Sequence, residues 1–224
     1  MDEPILFRSS TADAYKATLE TGSIWLRSDQ YFREIEDKAR QDRLEGVNSG
    51  KTTVPLQLTP VGGPIVNICG SGHIGQQIVP HYIFSMHGSS IAEAQRISFG
   101  GHTFGIRSIS RLSAEILYRS SQVLRCNGFR YGAVYYQYSA LAQSLSQKGG
   151  SAICLGGAPP VHLNPVNTDV LRKEPVLPFI LQDEWRTVIF VQEYLRADPA
   201  IPLQINVAAN HFYEYLHAAA DRGR

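Results

Sequence analysis

Two glycine-rich segments contain residue types that bind phosphate groups in other proteins. Gly70-Ser71-Gly72-His73-Ile74-Gly75 has the spacing of the dinucleotide fingerprint and follows an apolar stretch, as that motif requires. The motif also needs a helix directly after it, and Pro80 leaves room for little more than one helical turn. Gly50-Lys51-Thr52 matches the end of a P-loop, but Gly46 lies one residue too close. We therefore predict a glycine-rich turn at the first segment and no P-loop at the second.

The histidines, cysteines and serines do not have the spacing of known metal-binding or nucleophile motifs. The 7 histidines include no HExxH pair, and the 3 cysteines lie far apart without CxxC spacing. No GxSxG elbow that would present a nucleophilic serine occurs. We therefore expect no metal cofactor, and cysteines that are buried reduced thiols, as in cytosolic proteins.

The composition is that of a folded globular protein. Of the 224 residues, 43% are hydrophobic and 18% are charged, which excludes a disordered chain and suits a single domain spanning residues 1–224. The net charge of +1 gives no global attraction to nucleic acid or membranes, so an anionic ligand needs a local cationic patch. Without a membrane-length apolar run or a signal-peptide pattern, we expect a cytoplasmic protein with no membrane partner.

Hydrophobic periodicity and turn residues predict the elements that must position any site. Strands are predicted at residues 5–8, 24–26, 81–85, 103–106, 131–138, 179–181, 186–191 and 203–207. Helices are predicted at residues 12–20, 110–125, 140–147 and 210–220, with Gly22 ending the first. Glycine and proline turns between short apolar pieces fill residues 46–80. This mixed order indicates an α+β fold rather than a regularly alternating one.

Three short motifs occur in a fixed order along the chain. Leu6-Phe7-Arg8-Ser9-Ser10 begins the pattern, Tyr82-Ile83-Phe84-Ser85 ends a strand in mid-chain, and Gln182-Asp183-Glu184 precedes Trp185 and Arg186. This order resembles that of the ADP-ribosyltransferases that begin with an arginine, and the last two motifs resemble those of a large family of bacterial domains. The resemblance implies an ADP-ribosyltransferase-like split β-sandwich of mostly antiparallel sheets with flanking helices.

The resemblance also implies that NAD is the co-substrate and assigns roles to residues. Glu184, with Gln182 beside it, would be the catalytic carboxylate that stabilises positive charge on the ribose as the nicotinamide bond breaks. The residues expected to bind NAD are Arg8, Ser9, Ser10, Tyr31, Phe32 and Ser85. Among them, the arginine would bind phosphate or ribose. Tyr31 and Phe32 would either stack on the nicotinamide or be ordinary core aromatics, which explains them equally well.

A charged run at residues 33–45 permits two interpretations. Its carboxylates and arginines suit a solvated helix held by salt bridges, which is the usual explanation of such a run. The alternative is a loop that contacts NAD or the acceptor, and its residues would then be Arg33, Glu36, Asp37 and Arg40.

The acceptor of ADP-ribose is suggested by one departure from the family pattern. Gln182 replaces the glutamate that accompanies transfer to arginine, and this form goes with other acceptors, nucleic-acid bases included. A basic and aromatic stretch at residues 119–138 permits RNA or DNA as the acceptor, although strand aromatics facing a core explain it nearly as well. The resemblance thus suggests a toxin or phage-defence transferase, with a neutralising antitoxin as a further partner.

Other functions use the same residues. With water as the acceptor, the same pocket would give an NAD glycohydrolase. A non-catalytic module would bind a nucleotide or a partner protein in the cleft. Taken singly, Arg8 pairing with a surface carboxylate and Glu184 pairing with Arg186 would each be ordinary structural contacts.

Overall fold

The structure is a computed structural model of the chain. It describes residues 3–34, 36, 41–42, 45, 49–52, 56–59, 64, 66–68, 72–75, 79–89, 91–136, 152–155, 161–162, 170–173 and 180–215. No helix in these ranges is both long enough and apolar enough to cross a membrane.

Strands outnumber helices in the described residues. The strands are β1 (Leu6–Ser10), β2 (Ser23–Ser28), β3 (Ser49–Thr52), β4 (Leu56–Thr59), β5 (Val66–Ile68), β6 (Gly72–Gly75), β7 (His81–His87), β8 (His102–Ile106), β9 (Cys126–Ala133), β10 (Tyr135–Tyr136), β11 (Ala152–Leu155), β12 (Val161–His162), β13 (Arg172–Lys173), β14 (Glu184–Val191), β15 (Leu203–Asn206) and β16 (Phe212–Glu214). The helices are α1 (Ala12–Thr21), α2 (Asp29–Glu34), α3 (Glu93–Ser98) and α4 (Ile109–Ser121).

An 8-stranded antiparallel sheet forms the centre of the fold. Its main path runs β15-β2-β7-β1-β8-β16, and β14 pairs with both β7 and β9. Three smaller sheets join β12-β11-β4-β5, β3 with β6, and β10 with β13, of which only the last pair is parallel. The expected α+β class with mostly antiparallel sheets is therefore confirmed.

The core lies between the central sheet and the helices α1 and α4. Helix α4 places Leu112 and Ile116, both fully buried, against a cluster that includes Leu6, Leu26 and Phe104. Helix α1 ends at Gly22, whose φ of +69° suits glycine. A Cβ at this position would lie 1.8 Å from the Val207 carbonyl oxygen, so the close approach of two backbone segments also requires glycine.

Most predicted elements near the site are confirmed. The strands expected at residues 5–8, 24–26, 81–85 and 103–106 correspond to β1, β2, β7 and β8, and the first helix is α1. Helix α4 begins where predicted but ends at Ser121. The strand expected from residue 131 begins earlier, at Cys126, and its last two residues lie outside the described residues, as does the helix expected at 140–147.

Two predicted elements are wrong in the residues that the structure describes. The strand expected at 179–181 is a 3-10 turn at Ile180–Gln182, and Asp183 follows it with a φ of +43°, so the chain is not extended before it enters β14. The helix expected at 210–220 begins instead as a 3-10 turn and continues as β16. Phe212 there packs edge-on against Phe104, with ring centroids 5.2 Å apart, and this tertiary contact outweighs the helical pattern.

The two phosphate-motif segments pair with each other. Strand β3 contains Gly50-Lys51-Thr52, and it is antiparallel to β6, which contains part of the fingerprint-like segment. The predicted glycine-rich turn is therefore wrong for residues 72–75, which are extended. No helix follows either segment directly in the described residues, so neither has the helix N-terminus that a phosphate site of this kind needs.

Candidate functional site

A cleft opens where the central sheet splits. Strand β7 pairs with β14 over its whole length on one side. On the other side it pairs with β2 at Tyr82 and Ile83 and with β1 only at His87. The backbone edge between these points therefore faces the cleft instead of another strand, and β1, β7 and β14 bring side chains from distant parts of the sequence to one place.

The cleft has a volume of about 310 Å³ and is lined by polar and aromatic groups. Its lining includes most residues predicted to form the site, namely Arg8, Ser9, Ser10, Tyr31, Phe32, Glu36, Ser85, Gln182 and Glu184. It also includes Arg27, His87, Phe99 and Lys173, which the sequence did not suggest. A cleft of this size with a few convergent polar groups is typical of a small-molecule site.

Arg8 is a cationic group of the cleft that has no carboxylate partner among the described residues. Its Nη1 donates a hydrogen bond to the Ser85 carbonyl oxygen at 2.7 Å, and its guanidinium stacks 4.2 Å from the centroid of the Phe84 ring. No carboxylate lies within 4.0 Å of it in the described part of the chain, so the predicted alternative of a surface ion pair is not observed there. Burial, together with repulsion from Arg27, lowers the pKa of Arg8 to about 10. An anion bound in the cleft would stabilise the charged guanidinium against both its burial and the repulsion from Arg27.

Glu184 lies at the start of β14 and is held by three donors. Its Oε1 accepts hydrogen bonds from the Ser85 hydroxyl at 3.0 Å and from Arg186 Nε at 2.8 Å. Its Oε2 lies 2.8 Å from Lys173 Nζ. The carboxylate is only 7% exposed, so its position is fixed by these contacts before any ligand enters.

Glu45 completes this cluster from a distant part of the chain. Its two carboxylate oxygens accept hydrogen bonds from Arg186 Nη1 and Nη2 at 2.6 and 2.8 Å, and both side chains are fully buried. Two carboxylates therefore balance Lys173 and Arg186, so the cluster is neutral overall. Without Glu45, a net positive charge would stand beside Glu184 and oppose positive charge on a substrate.

The solvated helix expected at residues 33–45 is wrong for several of its members. Helix α2 ends at Glu34, and Asp42 and Glu45 are buried rather than solvated. For Glu45 the reason is that Arg186 needs a carboxylate partner inside the protein. Arg33 Nη1 lies 2.5 Å from Asp29 and is not part of the cleft lining, so its predicted substrate contact is not supported. Glu36 lines the cleft, whereas Asp37 and Arg40 lie outside the described residues.

The remaining predicted residues take different positions around the cleft. Gln182 is buried, and its side-chain oxygen accepts from Lys173 Nζ at 3.1 Å, which links it to Glu184 through a shared cation. Tyr31 and Phe32 meet edge-to-face, with centroids 5.5 Å apart, and Arg27 stacks on Tyr31 at 4.3 Å. Ser10 donates to the neighbouring Thr11 carbonyl, at 3.4 Å.

Ser9 belongs to a hydrogen-bond chain in the wall of the cleft. Its hydroxyl lies 3.0 Å from His87 Nε2 and 2.9 Å from Thr103 Oγ1. His87 Nδ1 lies 2.9 Å from the Gly88 carbonyl oxygen, which can only accept, so Nδ1 carries the proton and Nε2 accepts from Ser9. Burial lowers the pKa of His87 and keeps the ring neutral at pH 7. Because the Ser9 hydroxyl is already hydrogen-bonded to His87 and Thr103, Ser9 forms part of the cleft wall and has no free donor for a ligand.

The charge state of Glu184 leads to a prediction about acid stability. Burial alone would raise the pKa of this carboxyl, but Arg186 and Lys173 together lower it from 4.5 to about 2. Ionised Glu184 therefore stabilises the folded state above pH 4.5, and this contribution is lost as the pH falls towards 2. We expect this carboxylate to account for a loss on the order of 2 kcal/mol in the free energy of unfolding between pH 7 and pH 3.

Urea unfolding of the wild type and Glu184→Gln at both pH values measures this loss. The variant lacks the titrating group, so its free energy of unfolding is expected to fall less between pH 7 and pH 3. Equal losses in the two proteins would show that Glu184 does not carry this pH dependence.

Lys173 and Glu45 were not expected in the site, whereas the pairing of Arg186 with Glu184 that the sequence suggested as a structural contact is confirmed. The alternation of β14 does place Glu184 and Arg186 on one face, and a buried arginine requires a carboxylate, but the sequence does not show which one. The described residues hold no group of three or more metal-ligating side chains. Comparison of the chain with protein-family models, curated proteins and solved structures found no match.

Proposed function

We propose that the protein is an NAD-dependent ADP-ribosyltransferase that modifies a macromolecule, with nucleic acid as the acceptor class. The observation that supports this most strongly is the bridging position of Ser85. Its carbonyl oxygen accepts from Arg8 and its hydroxyl donates to Glu184. An arginine, a serine and a glutamate on β1, β7 and β14 thus meet in one cleft, in the chain order that the transferases of this type have. The split in the central sheet, which opens this cleft between β1, β7 and β14, supports an ADP-ribosyltransferase-like fold.

The chemistry follows from two groups of opposite charge in the cleft, the Glu184 carboxylate and the guanidinium groups of Arg8 and Arg27. Cleavage of the bond between nicotinamide and ribose leaves positive charge on the ribose, which an ionised carboxylate in a buried position stabilises. Glu184 has a pKa of about 2 and is therefore ionised throughout the physiological range. Ser85 and Arg186 hold this carboxylate in place without removing its charge.

Arg8 and Arg27 form the anion-binding end, which is the part of the cleft next to Ser85 and Tyr31. Their guanidinium groups lie close enough to repel each other, and Arg8 has donors beyond the one that Ser85 occupies. A pyrophosphate accepts several hydrogen bonds and carries the opposite charge. Tyr31 and Phe32 also line the cleft and would exclude water from the reacting bond.

The biological setting belongs to the same proposal. An enzyme that consumes NAD and modifies nucleic acid in the cytoplasm would act as a toxin or a phage-defence protein. Expression is then expected to inhibit growth, and a neutralising antitoxin would be required in the host. Growth of cells that express Glu184→Gln is the comparison that separates this toxicity from the burden of expression.

Replacing Arg8 by lysine tests the anion-binding end. Lysine keeps a positive charge but loses the planar, bidentate donor, so the KM for NAD is expected to rise about tenfold or more, while kcat changes less. Initial rates of nicotinamide release over a range of NAD concentrations measure both constants. Arg119→Lys, on the exposed surface of α4, is the matched control and should leave both unchanged. An unchanged KM in Arg8→Lys would contradict the role given to Arg8.

A further inference from the structure

A chain of hydrogen bonds runs from helix α3 to the wall of the cleft. Arg96 Nη1 donates to Thr103 Oγ1 at 3.4 Å, and Thr103 Oγ1 lies 2.9 Å from Ser9 Oγ. Ser9 Oγ lies 3.0 Å from His87 Nε2, and His87 Nδ1 lies 2.9 Å from the Gly88 carbonyl oxygen. A guanidinium can only donate and a carbonyl oxygen can only accept. With the imidazole neutral, every hydrogen in the chain therefore points towards Gly88.

This direction leaves one lone pair on the Ser9 oxygen uncommitted. A hydroxyl has one hydrogen and two lone pairs. The hydrogen goes to His87 and one lone pair accepts from Thr103, and no other residue that the structure describes bonds to this oxygen. Ser9 and His87 line the cleft, whereas Thr103 and Arg96 do not. A ligand in the cleft can therefore donate a hydrogen into the chain at Ser9.

His87 lies next to Glu184 across two strands. The two residues are opposite each other in the β7–β14 pair, so their side chains share a face of the sheet with Cβ atoms about 5 Å apart. The turn before Glu184 is held at the same place, because Gly88 N donates to the Asp183 carbonyl oxygen at 2.9 Å. A Cβ at Gly88 would lie 2.0 Å from the Asp183 carboxylate, so this close approach requires glycine. An ionised carboxylate and a neutral imidazole are thus neighbours in the cleft.

We propose that Ser9 and His87 form a proton relay that removes the proton of the acceptor during ADP-ribose transfer. An N–H or O–H group of the acceptor donates to Ser9 Oγ, and the hydroxyl passes its own hydrogen to His87 Nε2. Ser9 is the group that touches the acceptor, and His87 acts through it. The relay rests on the proposed function, since it needs an acceptor that is modified in this cleft.

The relay takes up the proton that the transfer reaction releases. A lone pair of the acceptor atom forms a bond to C1′ of the ribose, while the bond from C1′ to the nicotinamide nitrogen breaks and nicotinamide leaves as a neutral molecule with that electron pair. The acceptor atom then carries an extra proton. Glu184, with a pKa of about 2 and three donors on its carboxylate, is too weak a base to take it. His87 takes it, becomes an imidazolium and returns it to water after the product leaves.

Four charged side chains face His87 from the elements packed against it. They are Asp183 and Glu184 at the start of β14, Arg8 on β1 and Arg96 on α3. Burial lowers the pKa of His87 most, the Nδ1 hydrogen bond and Asp183 raise it, and the two arginines lower it, so that it lies below the usual 6.5. The charge of Glu184 is already paired with two cations. The neutral imidazole is therefore present at pH 7 and is lost as the pH falls below that pKa.

Replacing His87 by glutamine tests the relay. Glutamine can keep a hydrogen bond to Ser9 but takes up no proton, so the rate of label transfer from NAD to total cellular nucleic acid is expected to fall about a hundredfold at pH 7. Between pH 8 and pH 5 the wild-type rate should decrease on the acid side with a slope of about one decade per pH unit. This acid limb should be absent in His87→Gln, whereas a merely structural role would lower the rate and leave the limb in place.

Two variants of the hydrogen-bond chain separate relay from support. Ser9→Ala removes the relay hydroxyl and is expected to slow transfer about as much as His87→Gln does. Thr103→Val is nearly isosteric and breaks the same buried chain outside the cleft, so it should reduce the free energy of unfolding as Ser9→Ala does and keep the acid limb. Equal losses of transfer rate in both variants would contradict a relay at Ser9.

Nitrogen chemical shifts of the His87 ring, identified by their loss in His87→Gln, test the relay without NAD. The relay requires the Nδ1–H tautomer at pH 7 and a pKa below 6.5, and the other tautomer or a higher pKa would overturn it. A wild-type rate and acid limb in His87→Gln, with nicotinamide release lost in Glu184→Gln, would overturn the relay and leave the proposed function standing. Absence of both transfer and nicotinamide release in the wild type would overturn both.

Discussion

Replacing Glu184 by glutamine is expected to lower kcat for NAD cleavage by about a hundredfold to a thousandfold. Glutamine has nearly the same shape and still accepts hydrogen bonds from Ser85 and Arg186, but it carries no charge to stabilise the ribose cation. Because the charge matters in the transition state more than in the bound state, the affinity for NAD should change little. Nicotinamide release and NAD binding, measured separately on the purified protein, give the two quantities.

Controls for this substitution come from the same chain. Glu193→Gln removes an exposed carboxylate that does not line the cleft, and it should retain full turnover. Circular dichroism would show whether Glu184→Gln keeps the fold despite the changed charge beside Lys173. A folded variant that binds NAD and releases nicotinamide at the wild-type rate would contradict the role of Glu184.

Replacing Glu45 by alanine is expected to lower the free energy of unfolding by about 3–5 kcal/mol. Removing one partner of a buried ion pair leaves an uncompensated charge, and the Arg186 guanidinium has no exposure to water. The loss of both hydrogen bonds from Arg186 adds to this cost. Chemical denaturation with urea at pH 7 measures the difference.

An exposed ion pair provides the comparison for Glu45. Lys16 and Glu20 lie 3.9 Å apart with side chains that are 73% and 60% exposed, so Glu20→Ala should cost less than about 1 kcal/mol. Similar small losses for both variants would show that the Glu45–Arg186 pair does not stabilise the fold. Glu45→Asp, which keeps the charge, should recover part of the lost stability if the pair acts as described.

Local patterns were sufficient to predict the elements that frame the cleft. The short apolar runs of β1 and β7 and the glycine after α1 are readable within a few residues, because strand formation and helix termination depend mainly on neighbours in sequence. The order of Arg8, Ser85 and Glu184 could likewise be read without coordinates. Their convergence could not, because it depends on how β7 pairs with three other strands.

Contacts over long separations were beyond sequence reasoning. Glu45 and Arg186 are 141 residues apart, and Ser9 and His87 are 78 apart. A charged run such as residues 33–45 carries the same local signal whether its carboxylates meet water or a buried arginine. The exposure of Phe129 and Tyr131 was equally unreadable, because aromatic residues in strands usually face a core, whereas β9 pairs with β14 alone among the described strands.

The most direct test of NAD-dependent transfer uses NAD labelled on the adenylate, incubated with the purified protein and with separate RNA, DNA and protein fractions from cells. We expect label on a nucleic-acid fraction together with released nicotinamide, both lost in Glu184→Gln. Released nicotinamide with no labelled fraction would contradict transfer and assign a glycohydrolase. The absence of both signals would contradict NAD chemistry in this cleft and leave a binding module.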